Sequence, residues 1–487
     1  MLKFLKKENN LTYTENGALT HSTTENNCLD LFFRAGAMRN ADENDISKAV
    51  IRSYVEDPAK TMKIIFYARD IRGGLGERRF FRTAIKTLSS FAPDAVKRNI
   101  PYFAEYGRYD DLVILLDTPC ESEAVAEIKK QLDSDLEAMN NNENVSLLAK
   151  WLPSVNASAD STRITGKKLA KLLGMNDRKY RQTLSALRKY IDIIENRLRV
   201  SDYTFDYSKQ TSGSMFKYRK AFINNDEERY INYLQSVQRG EQKLNTSVLY
   251  PYEIIRRCTG CCDENERLSL DVTWNNLPVY ADNDENAIAV IDTSGSMTCC
   301  KNNSVRPIDV ALSLGIYFSE HNKGTFANHF ITFSENPRLI EIKGQDIFEK
   351  INYCFQFTEY SNTNLEAVFR LILKTAIKNK LPQKELPTKI YIISDMEFDS
   401  CIIGGNNVLL FDAAKKAYAE RGYKLPDIVF WNVASRHSNM PVTMSEAGVA
   451  LVSGFSPVVF DMAIAGDISP VKIMEKVISS ERYAVIK

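Results

Sequence analysis

The sequence predicts a protein of class α plus α/β: an all-helical first part, HEAT-like in the sense of helical hairpins stacked into a ring or solenoid, followed by a doubly wound α/β domain. Two observations lead there. From about Ser47 to Arg257 apolar positions recur three and four apart, with almost no strand-like alternation. From Ala287 onward, short uninterrupted apolar runs alternate with helical periods, the pattern of a parallel sheet covered on both faces. At 487 residues the chain exceeds what one core ordinarily organises, so at least two domains are expected. The composition shifts place a helical domain at 1–265, a linker at 266–286 and the α/β domain at 287–487.

In chain order, the helical reading covers Ser47–Val55, Ala59–Arg69, Glu77–Ser89, Ala95–Tyr106, Glu123–Met139, Lys167–Leu173, Asp177–Leu198 and Glu227–Val237. Asp-Pro at 57–58, Ala-Pro-Asp at 92–94, Gly-Arg-Tyr-Asp-Asp at 107–111 and the asparagines at 140–142 punctuate it. No repeat period is visible, so no regular repeat family is implied. Ser269–Thr273 alternates like a strand, and Asn276–Asn286 is polar and turn-rich. The second part then reads strand Ala287–Ile291, helix Ile308–Ser319, strand Phe326–Phe333, helix Leu365–Lys378, strand Lys389–Ser394, helix Val408–Arg421, strands Asp427–Val433 and Val449–Ser453, and helix Pro470–Ser479.

Bulk properties narrow the class further. No run of about eighteen apolar residues exists, and Met-Leu-Lys-Phe-Leu-Lys-Lys-Glu is too short in apolar residues for a secretory signal, so a cytoplasmic protein without membrane association is expected. Nine irregularly spaced cysteines in a chain this long do not look like a disulfide scaffold. The net charge is +1, but residues 1–250 carry 39 Lys+Arg against 33 Asp+Glu, while the remainder carries 24 against 29. Between Ser161 and Lys220 there are 15 basic and 5 acidic residues. That run is either an anion-binding face or a set of solvated helix surfaces.

The chemistry of the second part concentrates at one sheet edge. Asp292, Ser294 and Ser296 follow the first strand immediately, Thr363 stands just before a helix in Ser-Asn-Thr-Asn-Leu, and Asp395 ends the strand Lys389–Ser394. All five fall at the carboxyl ends of strands, where open α/β sheets bind ligands. Oxygen donors with few carboxylates suit a small hard cation that keeps part of its water, so Mg²⁺ is the first choice and Mn²⁺ or Ca²⁺ the others. Glu397 and Asp399 could tune such a site or be plain loop acids.

Enzyme readings of the loop fare worse. A nucleophile elbow needs Gly-x-Ser-x-Gly, and around Ser294 the glycine positions hold Asp292 and Ser296. A phosphate-binding Gly-x-x-x-x-Gly-Lys-Ser/Thr is absent, and the four histidines are not paired at ligand spacing. A binding module is expected, not an enzyme.

Asp-x-Ser-x-Ser, a distant Thr before Asn-Leu and an Asp ending Ile-Ile-Ser-Asp together resemble the metal-ion-dependent adhesion site of the von Willebrand factor A family. The resemblance implies a Rossmann-like A domain, with Asp292, Ser294, Ser296, Thr363 and Asp395 as the metal-holding residues. It also implies that the metal's open position accepts a carboxylate from a protein partner.

The helical part offers two cationic clusters. Arg69, Arg72, Arg78 and Arg79 flank a turn containing Gly73, Gly74 and Gly76, which reads equally as a phosphate-binding nest or as a helix cap with the arginines paired to Asp70, Glu77, Asp110 and Asp111. Lys167, Lys168, Lys171, Arg178, Lys179, Arg181, Arg188 and Lys189 span two helices, with Tyr180 and Tyr190 between them. Such interleaving suits phosphate contacts plus base stacking, or ordinary tyrosine packing.

Helical repeats followed by a metal-site A domain resemble the Ro (TROVE-like) family of RNA-binding proteins. The phrases at 31–36, 69–78, 106–112 and 149–154 resemble an uncharacterised relative of it. This resemblance implies a ribonucleoprotein role, with Arg69, Arg72, Arg78, Arg79, Lys167, Lys168, Lys171, Arg178, Lys179 and Arg181 contacting small structured or single-stranded RNA. The alternative is a metal-dependent protein-interaction scaffold without RNA. A zinc site from Cys258, Cys261, Cys262, Cys299 and Cys300 is disfavoured by its spacing and the lack of nearby histidine.

Overall fold

The structure, a computed structural model, describes residues 1, 5, 8–260, 263–280, 285–298, 305–358, 364–399, 409–463 and 468–487. It forms two compact units, each discontinuous in sequence: Met1–Asp45 with Tyr207–Ser480, and Ile46–Asp206 with Glu481–Lys487. The class is α plus α/β, as the periodicities predict. Among the described residues no helix is long and apolar enough to cross a membrane.

The first unit holds all the strands: β1 (Leu11–Tyr13), β2 (Leu19–His21), β3 (Ala287–Asp292), β4 (His329–Phe333), β5 (Leu339–Glu341), β6 (Lys389–Ser394), β7 (Asp427–Asn432) and β8 (Val449–Ser453). β1 and β2 make an antiparallel hairpin, and the other six form one sheet in the order β5-β4-β3-β6-β7-β8. Within it β3, β4, β6, β7 and β8 are parallel, and β5 pairs antiparallel at the edge. Every residue of β3, β6 and β8 is buried, so both faces of the sheet are covered. Helix Pro307–His321 returns the chain from β3 to β4 and packs on β3, while Phe318, Tyr391, Trp431 and Phe460 join their rings over that face.

The start of the chain is built into this unit. Helix Asn27–Ala35 buries Cys28, Leu29, Leu31, Phe32, Phe33 and Ala35 and packs against β8. Its Asn26 cap accepts from the Leu29 N–H at 2.7 Å. Gly36 just after it comes so close to Gly454 that an added Cβ would lie 2.5 Å from the Gly454 Cα. Only paired glycines permit that approach.

Several elements differ from the expectation, each for a local reason. Ser269–Thr273 lies inside a helix, Glu264–Asn275, capped by Asp263, whose carboxylate accepts from the Glu266 N–H at 2.7 Å. Its buried positions Glu266, Ser269, Leu270, Val272, Thr273 and Trp274 lie mostly three and four apart, a period that a five-residue window mistakes for alternation. The stretch 95–106 is broken by Pro101 into helix Pro93–Asn99, one 3₁₀ turn and helix Phe103–Tyr106. The stretch 177–198 splits into Asp177–Tyr190 and Ile194–Arg199, because the Asn196 amide takes the Arg188 and Ile191 carbonyls at 2.7 and 2.9 Å. Helices Ser212–Asn225, Pro251–Cys258 and Ile347–Phe355, the β1–β2 hairpin and β5 are further elements that the element-by-element reading does not include.

The second unit is helical, with an edge-to-face ring cluster of Phe66, Phe81, Phe103 and Tyr106 at its centre. Next to it sits a buried ion network. Asp111 is fully buried and accepts from Arg69 Nε at 2.8 Å, Arg82 Nε at 2.6 Å and the Arg108 backbone N–H at 3.1 Å. Asp110 pairs with Arg78 at 2.7 Å, Arg82 at 2.9 Å and Arg108 at 2.8 Å. Burial alone would raise the Asp110 carboxyl, but Arg82 and Arg108 outweigh it and hold the group below the usual carboxylate range.

Removing Asp111 would strand Arg69 as a buried unpaired cation. Asp111→Ala is therefore expected to cost about 3–5 kcal/mol, read as a lowered denaturation midpoint. A loss under about 1 kcal/mol would mean that the pair behaves as an exposed one.

Candidate metal centre

In this sheet the connection from β3 runs one way, to β4 and β5, while β6, β7 and β8 lie on the other side of β3. The strand order therefore reverses between β3 and β6, and a crevice opens at their carboxyl ends. Asp292 and Asp395 stand at those two ends. The register pairs Ile291 with Ile393, which brings the next residues, Asp292 and Ser394, side by side: the Ser394 hydroxyl donates to Asp292 Oδ2 at 2.6 Å.

Beyond Asp292 the chain turns into a short helix, Gly295–Thr298, and the turn sets the hydroxyls. The Ser294 N–H donates to Asp292 Oδ1 at 2.9 Å, Ser294 Oγ lies 3.0 Å from Ser296 Oγ, and Ser296 Oγ donates to Asp395 Oδ2 at 2.8 Å. A hydroxyl has one proton; that of Ser296 goes to Asp395, and that of Ser294 can serve either Ser296 Oγ or the Asp292 carboxylate. Four of the five residues singled out by the sequence thus form one hydrogen-bonded cluster. Thr363 lies outside the described residues; helix Leu365–Lys378 begins two residues later, capped by Asn364.

The electrostatics fit a cation. Asp292 and Asp395 are 0% and 2% exposed. Burial, together with the charge of Asp395, raises the Asp292 carboxyl well above its ordinary range; burial also raises Asp395, although Arg436 draws it down. Two buried acids beside two serine hydroxyls form an all-oxygen donor set of the kind that hard divalent cations take. Two further hydroxyls at this edge, Thr293 Oγ1 and Ser334 Oγ, are buried without a hydrogen-bond partner among the described residues.

The wall of the crevice comes from Arg436 and Glu15, which the sequence did not single out, and from Glu397, which it left open. Arg436, in the loop after β7, places Nη2 3.0 Å from Asp395 Oδ2 and Nη1 2.8 Å from Glu15 Oε2. Glu15 sits at the tip of the β1–β2 hairpin, whose backbone also bridges Gly17 to Asp399 and His21 to Met440. Glu397 proves to be no solvated loop acid: it is 1% exposed and accepts from the Glu15 N–H at 2.7 Å, His437 Nδ1 at 2.9 Å and Asn439 Nδ2 at 3.0 Å. With so many donors it is a latch for the hairpin. Glu15, Glu397 and His437 are also close enough to share an ion, but the donors already on Glu397 explain that carboxylate without one. Arg436 was legible in principle, since the rule that points to strand ends covers the loop after β7 as well.

In the second unit the cationic residues divide by burial. Arg69 is 4% exposed and committed to Asp111, and Arg78 pairs with Asp110. The glycine turn folds back on the preceding helix: the Leu75, Gly76 and Glu77 amides donate to the Tyr67, Asp70 and Ala68 carbonyls at 3.1, 3.1 and 2.6 Å. A Cβ at Gly74 would meet the Tyr67 carbonyl oxygen at 2.0 Å. Of the two readings of this turn, that geometry favours the helix cap, with three amides spent on carbonyls; Arg72 and Arg79 are exposed beside it. Lys168 is held by Asp117 and Glu121, which raise its ammonium, and Lys167 lies 3.9 Å from Asp177.

Lys171, Arg178, Lys179 and Arg181 are exposed, with no acidic partner among the described residues. Arg188 instead clamps the 149–154 segment, donating to the Ala149 and Leu152 carbonyls and to Ser154 Oγ at 2.7 Å each. Tyr180 is fully buried and donates to the Pro153 carbonyl at 3.0 Å, so it packs and presents no stacking face. Cys258 is buried, and Cys261, Cys262, Cys299 and Cys300 lie outside the described residues.

Comparison with known proteins gives the following. A family model described as Domain of unknown function (DUF7788) matches residues 286–481. An uncharacterized protein of Acanthamoeba polyphaga mimivirus is 28% identical over 488 residues, covering 92% of this chain and 83% of the viral one. Among solved structures, the RO (RSR) protein of Deinococcus radiodurans is similar at 12% identity and a TM-score of 0.34, with 91% of this chain and 92% of that one covered. A second family model, Domain of unknown function (DUF2828), matches residues 14–129 and 122–293, more than half of the sequence, and the chain belongs to that family.

Proposed function

We propose that the α/β unit is a docking module, in which Asp292, Ser294, Ser296 and Asp395, with Thr363, hold a divalent cation, Mg²⁺ first and Mn²⁺ or Ca²⁺ otherwise, that binds an acidic group of a protein partner. The observation behind this reading is the Ser294–Ser296–Asp395 hydrogen-bonded chain closing on buried Asp292 at the switch point of the sheet. When bound, the cation would supply an open coordination position for a carboxylate.

A ligand that binds only the folded state at about a hundred times its Kd stabilises by about 2.7 kcal/mol. Thermal denaturation of the full chain should therefore shift upward with Mg²⁺ and return with EDTA, and Asp292→Ala should not respond. A wild-type protein indifferent to Mg²⁺, Mn²⁺ and Ca²⁺ contradicts the reading.

A second reading, RNA binding of the Ro kind by the helical unit, is favoured by one observation. Lys171, Arg178, Lys179 and Arg181 lie exposed on helices Asp160–Leu172 and Asp177–Tyr190, next to a cavity of about 380 Å³ lined by Ser154, Asn156, Arg181 and Gln182. Single-stranded RNA should bind with strong salt dependence. Reversing those four charges should weaken binding by more than about tenfold and flatten the slope of log K against log salt by about 0.7 for each phosphate no longer neutralised. Binding that is absent, or unaffected by the reversal, leaves the protein-docking reading alone.

A further inference from the structure

Arg436 joins two acids of very different standing: Asp395, buried in the proposed cation site, and Glu15, half exposed at the hairpin tip. Asp395 Oδ2 already accepts from Ser296 Oγ at 2.8 Å and is ion-paired with Arg436 Nη2 at 3.0 Å, while Oδ1 accepts from the Glu397 N–H at 3.2 Å. One of the two lone-pair positions on Oδ2 thus holds the Ser296 proton, and the guanidinium charge sits against the same oxygen. For Oδ2 to reach a cation, one of these two partners has to yield. Ser296 can offer its own oxygen to the cation while its proton stays on Asp395. Arg436 has no acceptor atom to offer, and its fixed positive charge is repelled by a dication at this range.

We propose that Arg436 is an internal counter-ion that competes with the divalent cation for Asp395, so that cation binding drives the guanidinium off Asp395 and loosens the Glu15 tip of the hairpin that it holds. The proposal rests on the cation reading above and adds regulation to it. The contacts that tie the hairpin tip to the site include Arg436 to Glu15, the Glu15 N–H to Glu397, the Asn16 amide to the Glu397 carbonyl at 2.7 Å, the Thr14 hydroxyl to the Phe398 carbonyl and the Gly17–Asp399 bridge. The first of these is a charged bridge that shares its cation with the site itself. Breaking it would leave Glu15 and Arg436 at the rim as a separated acid and base, available to an arriving acidic group. By linkage, whatever weakens the hairpin's hold on Arg436 strengthens cation binding, and the reverse.

The test titrates Mg²⁺ alone, and Mn²⁺ alone, by calorimetry into the full-length wild type, Arg436→Gln and Asp292→Ala. Amide hydrogen exchange over residues 14–18 is measured with and without Mg²⁺. Arg436→Gln shortens the side chain only modestly and removes the charge; it should bind Mg²⁺ more tightly than wild type by about tenfold or more. In wild type Mg²⁺ should speed exchange of the Glu15 and Gly17 amides, and in Arg436→Gln the exchange should no longer depend on Mg²⁺. Equal or weaker affinity in Arg436→Gln, or hairpin exchange in wild type that ignores a bound cation, overturns the competition while leaving the cation site standing. No cation binding by wild type or Arg436→Gln overturns the site itself and the competition with it.

Discussion

The α/β unit is organised around two carboxylates buried at adjacent strand ends. Asp292 and Asp395 lie in a place that water hardly reaches, where burial raises the cost of ionising both and the charge of Asp395 raises that of Asp292 further. The surrounding residues answer that cost. Ser394 and the Ser294 amide serve Asp292; Ser296, the Glu397 amide and Arg436 serve Asp395. A buried like-charge pair is expensive for stability alone, and a divalent cation is the natural counter-charge for such a constellation of oxygens.

The same constraint explains why the first residues of the chain sit in the α/β unit. The loops after β6 and β7 carry Asp395, Glu397, Arg436 and His437, all polar, and left bare they would place these groups in open water. The β1–β2 hairpin covers them, pairing its backbone with both loops and giving Glu397 its donors. Helix Asn27–Ala35 and the Gly36–Gly454 approach fix that cover to the far side of the sheet at β8. A hairpin of three-residue strands has little stability by itself, so its order derives from these anchors.

Much of this was legible in the sequence, and the illegible part has a pattern. β3, β6 and β8 are continuous apolar runs ending in Asp-x-Ser-x-Ser, Ser-Asp or Gly, and their ends lie close to where hydrophobicity puts them. The cluster of Asp292, Ser294, Ser296 and Asp395 followed from order and strand context. The hairpin did not, because Leu11–Tyr13 and Leu19–His21 are held by residues hundreds of positions away in sequence. Arg436 was missed, and Glu397 was left between tuning the site and being a plain loop acid, for the same reason: a loop acid or arginine acquires meaning only from what folds against it. In the helical unit, charge counting could not separate structural cations held against acceptors, such as buried Arg69 and half-buried Arg188, from exposed ones such as Arg178 and Arg181.

Crystals of the protein soaked in Mn²⁺ test most directly, without any partner or assay, whether Asp292, Ser294, Ser296 and Asp395 are cation ligands. Anomalous difference density should show a manganese peak in contact with Ser294 Oγ, Ser296 Oγ and an oxygen of Asp292 or Asp395. No peak in that crevice at saturating Mn²⁺, or a peak confined to Glu15, Glu397 and His437, would contradict the assignment.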